Sequence, residues 1–105
     1  MPNRSRQKGD RLERKIVHLL HEAGIPAERV PLSGAVGGTF SGDLSIADTW
    51  RAEVKGRAHG EGFLQLERWL GTQDMLVLAR DRALPMVMLS WTTFLTLLQQ
   101  RKETV

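Results

Sequence analysis

Leu12, Ile16, Leu19, Leu20 and Ala23 recur at steps of three and four residues, the period of one helical face, and this predicts an amphipathic helix over residues 9–23. Gly24 closes it and Pro26 prevents its continuation. A short strand around Glu28 to Val30 then runs into a loop containing Gly34, Gly37, Gly38 and Gly42. The segments LSIA and WRAEVKG alternate in polarity and are expected to form a hairpin with a tight turn near Asp48 and Thr49.

Beyond the polar connection GRAHGEG, the segment FLQLERWL carries Phe63, Leu64, Leu66, Trp69 and Leu70 at helical spacing before Gly71. MLVLA and MVMLS are continuous apolar runs of strand length, the pattern of strands covered on both faces and completing the sheet. Trp91 to Lys102 reads as a last helix, with Ser90 or Thr92 as N-cap and residues 103–105 frayed. The expected order is αβββαββα, one α/β domain over residues 1–105 with a mixed central sheet flanked by helices.

Composition narrows what such a domain can do. At 105 residues, 41% hydrophobic and 26% charged, the chain is expected to fold around one core with room for one site. It lacks cysteine, so any metal site must be built from oxygen or imidazole ligands. Neither a membrane-spanning run nor an apolar signal core is present, so the expected location is the cytoplasm, with no membrane partner. Net charge is only +3, but Arg4, Arg6, Lys8, Arg11, Arg14 and Lys15 crowd the N-terminus, where residues 1–8 are expected to form a basic arm suited to phosphate.

Among the charged residues of the first helix, Glu13 stands apart. It falls between Val17 and Leu20 at the edge of the apolar face, where a carboxylate loses hydration and needs a metal ion or a basic group. Its ordinary role there is a pair with an arginine at the core edge. In the hairpin, Leu44, Ile46, Ala52 and Val54 claim one face, which sets Asp43, Glu53 and Lys55 together on the other. Two carboxylates in that position repel unless a hard cation such as Mg²⁺ or Mn²⁺ accepts their oxygens. An adjacent ammonium can position water or neutralise charge on a phosphate under attack. A Glu-x-Lys pair alone is ordinary surface decoration. A helical Glu, a glycine-rich loop, an Asp at a strand start and Glu53-Val54-Lys55 in succession are a more specific pattern.

With Lys8-Gly9, Glu13-Arg14, Ser33-Gly34, Asp43 and Glu53-Val54-Lys55 in this order, residues 4–80 resemble the PD-(D/E)XK nuclease superfamily, most closely the archaeal-type Holliday junction resolvases. Gly42 replaces the proline that usually precedes the strand aspartate in that family. The resemblance implies a restriction-endonuclease-like domain in which Glu13, Asp43 and Glu53 bind the metal, Lys55 is the catalytic lysine and Ser33 approaches the scissile strand. Gln65, with Trp69 four residues on, matches loosely a pair that positions substrate in relatives, although Trp69 on its stripe reads as packing.

The implied activity is metal-dependent, structure-selective cleavage of DNA, with a four-way junction as the expected substrate. Arg4, Arg6, Lys8, Arg14, Ser33, Gly34, Arg57 and Gln65 are the candidate DNA contacts. Two symmetric nicks require two sites, hence a twofold homodimer. A flap, nicking or restriction-type nuclease is the near alternative; a non-catalytic DNA-binding module is the distant one. His18, His21 and His59 lie on polar positions without zinc-site spacing and are expected to be solvated, with His59 a candidate phosphate contact.

Overall fold

The structure, a computed structural model, describes the backbone of residues 4–30 and 43–103 and the side chains of residues 9–30 and 43–101. It is mixed α/β, with three helices and two small antiparallel sheets. Its Cα positions group into two units, Met1–Gly56 and Arg57–Val105. Among the described residues no helix is long and apolar enough to cross a membrane.

The first unit opens with α1 (Arg4–Glu22), which begins five residues before the expected helix. Residues 4–8, expected as a basic arm, are therefore helical. Arg, Gln and Lys are good helix formers, and the single Gly9 inside α1 costs only about 1 kcal/mol. The C-terminus of α1 closes as the apolar pattern predicts. Gly24 adopts φ 79° and donates to the His21 carbonyl at 3.0 Å, while Ile25 donates to the Leu20 carbonyl at 2.9 Å. This is the Schellman arrangement, and its two apolar residues, Leu20 and Ile25, are both buried.

That closure delivers the chain into β1 (Ala27–Arg29), which pairs antiparallel with β2 (Leu44–Ile46), itself paired antiparallel with β3 (Trp50–Ala52). The registers place Arg29, Leu44 and Ala52 in one row and Ala27, Ile46 and Trp50 in another on the same face. Glu28, Ser45 and Arg51 form the row on the opposite face. Leu44 and Ile46 are buried along with Leu20 and Ile25, so the core of this unit joins the apolar stripe of α1 to the centre of the sheet.

The turn from β2 to β3 contains two left-handed residues, Ala47 at φ 55° and Asp48 at φ 54°, closed by Thr49 N–H donating to the Ile46 carbonyl at 3.1 Å. Positive φ at both central positions is the twist that right-handed strands require of a two-residue turn. Ala47 also donates its N–H to the Pro26 carbonyl at 2.7 Å, which anchors the turn to the chain leaving α1.

The second unit contains α2 (Phe63–Leu70), β4 (Met75–Leu78), β5 (Met86–Leu89) and α3 (Trp91–Glu103). Gly71 ends α2 as expected, donating to the Glu67 carbonyl at 3.0 Å. Ser90 proves to be the N-cap of α3: its Oγ accepts from Thr93 N–H at 3.2 Å and its carbonyl from Phe94 N–H at 3.0 Å.

Two expectations change here. The strands do not form one mixed sheet; β4 and β5 pair only with each other among the described residues, as short turns permit only antiparallel neighbours. Nor are they covered on both faces, since Met75, Val77, Met86 and Val87 are exposed while Leu76, Leu78 and Met88 are half-buried. Trp69, read as packing, is 58% exposed.

Candidate functional site

All four residues of the expected active site lie in the first unit: Glu13 on α1, Asp43 just before β2, and Glu53 and Lys55 just after β3. The ladder between β2 and β3 stops at the pair Leu44 and Ala52. Just beyond it, Asp43 N–H donates to the Ala52 carbonyl at 2.8 Å, and the Asp43 carbonyl accepts from Val30 N–H at 3.0 Å. Asp43 is thus bonded to both neighbouring strands through its main chain. Its side chain supplies the next link: Oδ2 accepts the Val54 N–H at 2.7 Å. A carboxylate stands where a strand would offer a carbonyl, and it is held against the middle of Glu53-Val54-Lys55.

Glu53 and Lys55 follow β3 rather than lying within it, and both side chains are exposed. The tripeptide keeps its place by continuing onto α1. At Gly56 a Cβ would come within 2.5 Å of Leu12 Cδ2, so the chain leaving Lys55 passes hard against the turn of α1 that carries Glu13. Glycine is the residue that permits this approach.

Glu13 lies at the edge of the buried face, 19% exposed, and its partner is Arg29. The Arg29 Nε donates to Glu13 Oε1 at 3.0 Å and an Arg29 terminal nitrogen donates to Asp10 Oδ1 at 2.7 Å. Arg29 stands in the row of Leu44 and Ala52, on the face that also carries the buried Leu44 and Ile46. A guanidinium turned inward at that position needs compensating charge, which the helix provides twice.

The acids therefore meet only partly as expected. The Asp43 carboxylate is bonded to the main chain between Glu53 and Lys55, whereas Glu13 on α1 is engaged by Arg29 on the Leu44 and Ala52 face. Among the described residues no group of three or more histidines or acids is close enough to hold a metal ion. A Mg²⁺ site does not demand one. That ion commonly keeps several waters and binds through one or two carboxylates together with substrate phosphate. Asp43 and Glu53 supply oxygen donors of the kind such an ion takes, with Lys55 exposed two residues beyond Glu53, whereas Glu13 is already held by Arg29.

Of the candidate DNA contacts, Arg14 is exposed on α1, and Arg57 and Gln65 are exposed in the second unit. Ser33 and Gly34, and the side chains of Arg4, Arg6 and Lys8, lie outside the described residues. The three histidines are exposed, as expected, and two of them also make polar contacts. His21 Nε2 donates to the Ala27 carbonyl at 2.8 Å and ties the end of α1 to β1, and His18 pairs with Glu22 at 2.7 Å on the surface.

Sequence reasoning passed over Arg29 and Asp10 as members of the site. The signal was available: in a strand that begins at Ala27, position 29 shares its face, so an arginine there calls for acids on the helix above. Arg51 was also missed; it is exposed on the opposite face and donates to the hydroxyl of the buried Ser45 at 3.0 Å. Comparison with protein-family models, with curated proteins and with solved structures finds no match for this chain.

Proposed function

We propose that the protein is a metal-dependent DNA endonuclease of the PD-(D/E)XK type, a restriction-endonuclease-like domain whose site is Asp43, Glu53 and Lys55 with Glu13 on the adjoining helix. The observation that carries this reading is the bond from Val54 N–H to the Asp43 carboxylate, because it brings the aspartate and the Glu-x-Lys tripeptide to one point.

Asp43 and Glu53 would hold Mg²⁺ or Mn²⁺, which when bound supplies a Lewis acid for the scissile phosphate and a source of activated water. The residues do the rest. Asp43 is oriented by its bond to Val54 and so is restricted in rotamer. Lys55, exposed on the same segment, offsets the negative charge that develops on the phosphate or takes a proton from the attacking water. Basic residues of α1, Arg11, Arg14 and Lys15, face solvent and are placed to hold the DNA backbone. A branched DNA such as a four-way junction is the substrate proposed; two coordinated nicks in it call for a homodimer acting in the cytoplasm. A flap, nicking or restriction-type nuclease would use the same residues.

A second reading, a DNA-binding module without catalysis, draws support from the pairing of Glu13 and Asp10 with Arg29, since acids committed to ion pairs need no metal. Cleavage of labelled junction, flap, single-stranded and linear duplex DNA with Mg²⁺, Mn²⁺ or EDTA separates the two. The nuclease reading expects metal-dependent cuts that disappear in Asp43→Ala and Lys55→Ala. Binding without cutting under every metal condition would sink it.

A further inference from the structure

We infer that the outer edge of β4 is a self-complementary surface on which a second copy of this chain pairs antiparallel, Val77 facing its own counterpart across a twofold axis. The inference deepens the proposed homodimer, resting on that reading for its role and on the strand edge for its geometry. Among the described residues β4 pairs only with β5. Ser90 donates its N–H to the Asp74 carbonyl at 3.2 Å, so Asp74 turns its main chain toward β5. Main-chain groups alternate sides along a strand, so those of Leu76 and Leu78 follow Asp74, while those of Met75, Val77 and Ala79 point away from β5. Antiparallel pairing about Val77 sets Val77 against Val77 and Met75 against Ala79, and each of these pairs exchanges both its main-chain bonds.

Charge selects the same register. Asp74 and Arg80 flank β4, are exposed, and form no ion pair among the described residues. They stand symmetrically about Val77, so the pairing brings the Asp74 of each copy opposite the Arg80 of the other. Moving the axis to Leu76 or Leu78 sets one of these charges against a leucine instead. The apolar residues also meet their like: Leu76 faces Leu78, and Met75 and Val77, 46% and 62% exposed, gain apolar neighbours. From Met75 to Ala79 the edge carries no lysine, proline or other residue of the kind that blocks pairing. The edge of β5 is different. Its outward main-chain groups are those of Val87 and Leu89, and Pro85, next in that alternation, has no N–H to give.

One strand edge buries less than the ~1,200 Å² of total surface found in stable complexes, so the dimer is expected to dissociate in the micromolar range. Sedimentation equilibrium of the full-length protein from about 1 to 100 µM, without DNA or metal, is the test. Wild type is expected to pass from monomer to dimer over this range. Asp74→Arg and Arg80→Asp each set like charges opposite one another and are expected to weaken association about tenfold or more. An equimolar mixture of the two variants should restore it, because the mixed pair opposes unlike charges at both positions. Val77→Lys places two ammonium groups face to face on the axis, and it carries the test if circular dichroism shows that a charge variant does not fold. Wild type that stays monomeric at about 100 µM overturns the inference, as does association undiminished in the variants or a mixture that fails to associate. Junction cleavage is scored separately: a monomer that cuts would discard the interface and keep the nuclease, and a dimer that cuts nothing would do the reverse.

Discussion

The Asp43 carboxylate accepts the Val54 main-chain N–H at 2.7 Å, so the residue entering β2 is tied to the centre of Glu53-Val54-Lys55. That bond belongs to the fold, the proposed chemistry uses the same carboxylate, and substitutions can separate the two. Asp43→Ala leaves the part-buried N–H without its acceptor and is expected to cost about 1–3 kcal/mol in urea unfolding. Asp43→Asn retains an acceptor oxygen and should stay within about 1 kcal/mol of wild type. Both should lose metal-dependent cleavage, so an active Asp43→Asn would remove the aspartate from the metal site.

Lys55 is exposed, and its truncation should leave the fold intact. Lys55→Ala is expected to change unfolding free energy by no more than about 0.5 kcal/mol. Cleavage should fall by roughly a hundredfold to ten-thousandfold, the range associated with a lost proton-transfer group. Single-turnover rates at saturating enzyme make the comparison; a rate within a factor of two of wild type would assign Lys55 to the surface.

The turn between β2 and β3 carries strain at Ala47, whose φ of 55° places a Cβ in the left-handed region. Glycine adopts that conformation without penalty. Ala47→Gly is therefore expected to stabilise the protein by about 0.5–1 kcal/mol, offset in part by the freedom glycine adds to the unfolded chain. A higher urea midpoint with an unchanged slope is the expected readout.

Packing between the chain after Lys55 and α1 can be tested by a double-mutant cycle. Gly56→Ala drives a methyl group toward Leu12 Cδ2 and should cost about 1–3 kcal/mol. Leu12→Ala removes the obstacle, so the double variant should be more stable than the sum of the single losses by at least about 0.5 kcal/mol. Additive losses would show that the two segments do not touch in solution.

Helix periodicity was the most legible part of the chain. The stripe from Leu12 to Ala23 and the stop at Gly24 are set by local spacing, and the structure reproduces the stop bond by bond. Alternation was legible too, because Leu44, Ile46 and Ala52 admit one register that gathers them on a face. What could not be read was long-range: whether two apolar strands join a larger sheet depends on tertiary partners, and MLVL and MVML carry no signal of them. The start of α1 escaped because residues 4–8 are polar throughout and show no period. Asp43 and Glu53-Val54-Lys55 stand out in the sequence by their order, and the structure adds the bond between them, whereas the pairing of Arg29 with Asp10 and Glu13 depends on a strand meeting a helix, which local order does not set.

Arg29 also guards the alignment of β1. A one-residue slip of that strand would turn Glu28 toward α1 in place of Arg29 and bring a third carboxylate against Asp10 and Glu13 with nothing to neutralise them. Misaligned chains are thereby penalised by repulsion as well as by lost burial. The same three charges that join α1 to β1 thus proofread the pairing of the sheet.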